Sequence, residues 1–220
     1  MARPAKHDVV TALLGRHGRT FAAEAGIDVR RNTPAPLFRL LCLSLLLSAR
    51  IRAETGVAAC RALADAGWTT PPKLAASTWE ERTRVLNRAG YARYDESTSR
   101  MLATTTDLLL RRYGGDLRAL RVEAGRDPDE ERRLLQQFSG IGPVGAAIFS
   151  REVQAVWDEV YPFADQRALR VAADLGLGAD VTALRRCTTD AADLARLVAA
   201  LVRCGLAGDQ ADILDRARRR

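Results

Sequence analysis

Residues 134–148 read Leu-Leu-Gln-Gln-Phe-Ser-Gly-Ile-Gly-Pro-Val-Gly-Ala-Ala-Ile, two apolar helical segments joined by a Gly-apolar-Gly turn. With no room for a long loop, a chain carrying this run has to double back there as a pair of helices. Gly140 and Gly142 are both expected to take positive φ and to let the backbone approach another molecule with no Cβ between them. Pro143 suits the first position of the second helix, where its missing N–H loses no bond. The free amides of the turn and of the new helix then point outward at the positive end of a dipole, a place for an anion such as phosphate. An ordinary αα-corner with a glycine turn uses the same letters, so this run alone leaves both readings open.

The rest of the chain predicts helices as well. Apolar residues recur at helical spacing in Val9/Val10/Leu13/Leu14, Leu37/Leu40/Leu41/Leu45 and Leu194/Leu197/Val198/Leu201, and no alternating run persists long enough for a strand. Glycines and prolines cut the chain at 26–36, 67–72, 90, 114–115, 125–128, 162 and 176–178. Thr78, in the run Ser77-Thr78-Trp79-Glu80-Glu81, and Asp116 are capping residues ahead of helices. The expected fold class is all-α, with roughly ten helices of ordinary length.

Composition narrows the partners. The 220 residues are enough for one domain or two small ones, and 47% apolar with 28% charged residues excludes wholesale disorder. The net charge of +7 favours an anionic partner. Residues 1–52 hold nine basic side chains, Arg3 and Lys6 the first of them, against Asp8, Glu24 and Asp28. The hairpin is locally acidic, with Asp127, Asp129, Glu130, Glu131, Glu152, Asp158 and Glu159 around it. A phosphate grip there must therefore come from backbone amides, with the N-terminal third supplying long-range attraction.

The 34 basic residues include just two lysines, Lys6 and Lys73. The four cysteines, Cys42, Cys60, Cys187 and Cys204, form no C-x-x-C pair; Cys42 and Cys60 fall in apolar helical stretches and read as buried thiols of a reducing cytoplasm. His7 and His17 are the only histidines, so neither a metal site nor a cofactor is expected. The longest apolar run, 40–49, is too short to span a bilayer and no signal peptide is visible, so no membrane role is expected.

Four segments in order carry a resemblance. Pro36-Leu37-Phe38-Arg39-Leu40-Leu41 leads to Leu46-Leu47-Ser48-Ala49-Arg50; Ala89-Gly90-Tyr91-Ala92-Arg93-Tyr94 is a Gly-aromatic turn; the hairpin follows; then comes Phe163-Ala164-Asp165-Gln166-Arg167. In that order they resemble the helix-hairpin-helix DNA glycosylases of the endonuclease III superfamily, well over 36 to about 175 and loosely at the ends. The resemblance implies a two-lobed helical fold: residues 36–158 form a barrel-like lobe carrying the helix-hairpin-helix (134–150), and 1–35 plus 159–220 form a second, discontinuous lobe. It implies double-stranded DNA as partner, bound by a monomer. Ser139, Gly140, Ile141, Gly142, Val144 and Gly145 would hold phosphates, and Arg50 and Tyr91 would fill the space left by a flipped base. Asp165 would be catalytic, opposing positive charge on the sugar and orienting the attacking water. Each role has a plain structural counterpart: a surface arginine at a helix end, a packed turn aromatic and an N-cap aspartate.

The departures from the family pattern are equally specific. Val144 stands where bifunctional members carry the lysine that attacks the sugar, so strand cleavage by imine chemistry is not expected. After Asp165 only Cys187 and Cys204 remain, too few for the family's four-cysteine iron–sulfur motif. Gln166 and Arg167 replace the usual Thr-His, leaving the substrate base open. The resemblance thus implies a monofunctional DNA N-glycosylase; the alternative is a catalytically inactive protein of this type that binds duplex DNA non-specifically.

Overall fold

The apolar stripes seen in the sequence become helix faces. A computed structural model describes residues 4–220, and every regular element among them is helical. Arg3, counted above in the basic segment, lies outside the described residues. The chain begins with α1 (Lys6–His17), α2 (Phe21–Glu24), α3 (Pro34–Ser48), α4 (Ala53–Asp65) and α5 (Pro71–Ala75). It continues with α6 (Trp79–Leu86), α7 (Asp95–Tyr113), α8 (Leu117–Glu123), α9 (Pro128–Leu135) and α10 (Pro143–Val153). The last four are α11 (Gln166–Leu175), α12 (Val181–Arg185), α13 (Ala191–Ala207) and α14 (Gln210–Arg218). That is fourteen rather than about ten, because breakers such as Pro71 and Gly178 leave pieces of only four or five residues.

The helices group into two compact units, residues 22–149 and residues 1–21 with 150–220. The lobes read from the sequence had their boundaries at 36 and 158. In the 22–149 unit, α3 is buried nearly all round: Leu37, Leu40 and Leu41 have no exposure and Leu45 has 3%. It packs on α4, α7 and α8, while α7 also receives α5 and α6. The second unit is built on α13, against which α1, α11 and α12 pack. Leu194, Leu197, Val198 and Leu201, the i, i+3, i+4, i+7 set, are all fully buried there. Each such side chain contributes about 1.5–3 kcal/mol relative to exposure.

Asp and Thr side chains cap six of these fourteen helices. Thr78 and Glu81 form a reciprocal capping box on α6. Asp116, Asp127, Asp165, Asp180 and Asp190 each accept backbone N–H groups at the start of their helices. No helix among the described residues is long and apolar enough to cross a membrane.

Candidate nucleic-acid interface

The hairpin forms as α9, a turn and α10, with Pro143 as the first residue of α10. Its inner side is apolar: Leu134, Leu135, Phe138 and Ile141 are buried, and the Phe138 ring lies 6.0 Å from that of Tyr113. Thr105 on α7 donates its hydroxyl to the Ser139 carbonyl at 2.8 Å, pinning the turn to the body of the unit. This residue was missed in the sequence, since nothing local to α7 signals a partner 34 positions away.

The turn's two glycines do different work. Gly140 lies at φ 82°, and a Cβ there would come 2.9 Å from Met101 Sδ and 3.1 Å from Leu45 Cγ. Both conformation and packing demand glycine. Gly142 corrects the expectation of positive φ: it is not in the left-handed region, and a Cβ on it would meet nothing within 4 Å. Its missing side chain matters only to something arriving from outside. A Cβ on Gly145 would lie 2.7 Å from Ser48 Oγ, so that glycine lets the start of α10 abut the end of α3.

The tip is open. Gly140, Gly142, Pro143 and Val144 are exposed, Val144 at 63%, while Ile141 is the buried anchor beneath them and Ser139 is half-buried. Gly142 accepts from Ala146 N–H at 3.0 Å but has no side chain to cap the helix. The N–H groups of Gly142, Val144 and Gly145 donate to no acceptor among the described residues. These are the orphan donors of a helix start, at the positive end of the dipole; Gly142 and Val144 stand on the exposed tip, whereas Gly145, expected among the phosphate-holding residues, is buried. Part of the nearby acidity is spent internally: Asp127 caps α9, Asp129 pairs with Arg132 and Glu130 with Arg133.

Within this unit the end of α3 is where three of the sequence landmarks meet. Leu45 backs Gly140, Ser48 backs Gly145, and the Leu46 carbonyl accepts from Tyr91. Arg50, just past the end of α3, is exposed, with no hydrogen bond or ion pair among the described residues.

Tyr91 is the main correction. It is 1% exposed, and its hydroxyl donates to the Leu46 carbonyl at 2.8 Å. Burial pushes the phenol up to about 12. Gly90, at φ 83°, makes the sharp turn that swings the ring inward rather than outward. A side chain tied this way cannot enter a DNA stack; its role is to brace α3.

Asp165 belongs to the other unit. Its Oδ1 accepts the N–H groups of Arg167 at 3.0 Å and Ala168 at 3.1 Å, so it caps α11. Its Oδ2 accepts Arg151 Nε at 2.9 Å and a second, shorter bond from the same guanidinium. The side chains are 12% and 6% exposed, so this is a nearly buried ion pair with both carboxylate oxygens engaged. Arg151 also lies over the Phe21 ring at 5.9 Å. Just upstream, fully buried Gln154 clamps Phe163 through two bonds of 3.0 Å, one to its N–H and one to its carbonyl, fixing the segment that delivers Asp165.

Arg151 and Gln154 were also missed. The available signal was the polar cluster Ser150, Arg151, Glu152 and Gln154 at the end of an otherwise apolar helix, which demands buried partners. The acidic residue beside them, Glu152, accepts the Phe21 N–H at 2.9 Å in the same unit.

No protein-family model matches the chain, and no curated protein matches it significantly. Among solved structures, it is similar to a trapped endonuclease III–DNA covalent intermediate, an estranged-adenine complex. The two are 18% identical, with a TM-score of 0.47 over 74% of this chain and 71% of that one.

Proposed function

We propose that the chain binds the sugar–phosphate backbone of duplex DNA through the hairpin, without regard to sequence. One observation carries this reading: an exposed helix start, with glycine in place of a capping side chain, leaves the amides of Gly142 and Val144 without acceptors among the described residues. Backbone phosphates satisfy such donors without any contact to base edges. Arg50, with no partner among the described residues, adds a positive charge just past the end of α3.

Binding isotherms of a labelled duplex at rising salt test it. The expected log–log slope is about −0.9 per phosphate contacted, with equal affinity for unrelated sequences. Gly142→Glu should weaken every duplex alike. No binding at low salt, or binding indifferent to Gly142→Glu, would refute the proposal.

A second reading is hydrolytic base excision by a monofunctional N-glycosylase, favoured by the way Gln154 and the α11 amides fix one carboxylate in place. Arg151 stands against it, because a carboxylate paired on both oxygens cannot orient water until Oδ2 is released. Duplexes carrying uracil, oxidised or alkylated bases decide between the two. Strand breaks seen only after hot alkali establish excision; none in either portion, with tight binding retained, leaves the binding protein. Breaks without alkali would show a lyase step that Val144 cannot perform.

A further inference from the structure

The unit formed by residues 1–21 and 150–220 contains a side-chain cluster that plays no part in the proposed DNA binding. Asp209 stands in the N-cap position of α14, yet unlike the five aspartate caps named above its side chain makes no cap bond. Its carboxylate turns instead toward His17, whose Nε2 lies 3.1 Å from Oδ1 and 3.0 Å from Oδ2. The fully buried Cys204, in the last turn of α13, faces the same carboxylate. One donor atom from each of the three residues lies within 4.8 Å of the others.

We propose that His17, Cys204 and Asp209 form a binding site for a zinc-class divalent cation. Imidazole nitrogen, thiolate sulfur and carboxylate oxygen together suit zinc and its softer neighbours, and do not suit magnesium or calcium. Bonds of about 2.0–2.3 Å to a tetrahedral ion place donors roughly 3.3–3.6 Å apart, so the cluster needs to close by only about 1 Å.

The surrounding field agrees with that. His17 ends α1 and Cys204 lies near the end of α13, so two helix C-termini direct their negative ends at the cluster, against the single N-terminus of α14. A thiolate and a carboxylate balance a divalent ion. Arg16 does not exclude it: its Nε holds Asp209 Oδ2 at 2.5 Å and leaves Oδ1 for the metal, while Asp212 lies 3.7 Å from its Nη1 as a second partner. Arg16 then orients the ligating carboxylate as an outer partner. The side chains of His17 and Asp209 are 14% and 12% exposed, a path for an ion to enter, and three protein ligands leave a fourth position for water. Binding replaces the thiol proton by the metal and releases that proton to solvent. The donors are up to 192 positions apart, which is why spacing carries no sign of them.

The test is titration of the reduced full-length protein with Co²⁺, followed by displacement with Zn²⁺. The expected result is an equimolar endpoint with a thiolate-to-cobalt charge-transfer band that zinc abolishes. Cys204→Ser should remove the band. His17→Gln, which leaves the thiol in place and sits at a helix end, should weaken zinc binding by more than about 10-fold, the least expected when even an outer partner is lost. Absence of the band, its survival in Cys204→Ser, or unchanged zinc affinity in folded His17→Gln would overturn the proposal. If Cys204→Ser fails to fold, His17→Gln decides.

Discussion

Two helix starts in this molecule present the same electrostatic problem and resolve it in opposite ways. At α11 the orphan amides are met from within, by Asp165, and the charge this brings is met in turn by Arg151. At α10 no group among the described residues meets those of Gly142 and Val144: Gly142 has no side chain, and the tip is exposed. The resemblance in the sequence marks the aspartate as chemical, yet in the structure both of its oxygens are engaged by the α11 amides and Arg151. The glycine turn, which looks like simple geometry, is the place left open to a ligand. A satisfied site stabilises its unit and an unsatisfied one is available to a partner; a single group cannot fully do both.

Breaking the satisfied end should have the largest effect. Asp165→Ala removes the cap and strands Arg151 in a nearly buried setting, which should destabilise the protein by about 3–5 kcal/mol in chemical denaturation. Asp165→Asn should be milder by roughly 1 kcal/mol, because an amide oxygen still caps α11. Combining Asp165→Asn with Arg151→Met should recover much of the loss, since no charge is then left buried. If Asp165→Ala cost under about 1 kcal/mol, the carboxylate would be free for other work and the contrast between the two ends would fail.

At the open end the effect depends on which glycine changes. Gly140→Ala forces a left-handed conformation on a residue with a Cβ, at about 1–2 kcal/mol, and pushes that Cβ against Met101 and Leu45. With overpacking of this kind costing about 1–3 kcal/mol, the sum should be roughly 2–4 kcal/mol. A stability loss below about 1 kcal/mol would mean that the turn relaxes and is not fixed by its packing.

Tyr91→Phe comes next in size. It leaves the Leu46 carbonyl without its phenolic donor, and a thermal or denaturant melt should show a loss of about 1 kcal/mol. Duplex affinity should stay at the wild-type value, because the ring is interior. A selective fall in affinity for lesion-bearing duplexes, with stability intact, would return Tyr91 to the interface.

What the sequence reveals follows the range of the interactions involved. The all-helical class, the hairpin, the Thr78 and Asp116 caps and the buried stripes of α3 and α13 depend on neighbours within about two turns, and all of these are legible. Asp165 as an N-cap is local and was readable; its capture by Arg151, 14 residues back, was not, because the return path between them is set by Gln154 and Phe163. Tyr91 was unreadable for the same reason. A Gly-aromatic turn can project its ring either way, and here the choice is made by a carbonyl 45 positions earlier. Gly140 and Gly142 look alike as letters. Only their surroundings separate the residue that the fold requires from the one it does not.

The smallest effect on stability, and the most informative about function, belongs to Gly142→Ala. The added methyl meets nothing within 4 Å and the backbone there is not left-handed, so stability should change by no more than about 0.5 kcal/mol in either direction. Restricting the unfolded chain should, if anything, make it slightly favourable. A Cβ at that exposed point nonetheless stands where a phosphate has to approach the amides of Gly142 and Val144. Duplex affinity should therefore fall, equally for all sequences, while the melting curve stays in place. A protein that keeps both its melt and its affinity would show that the tip takes no phosphate, and the open helix start would then be an ordinary solvated corner.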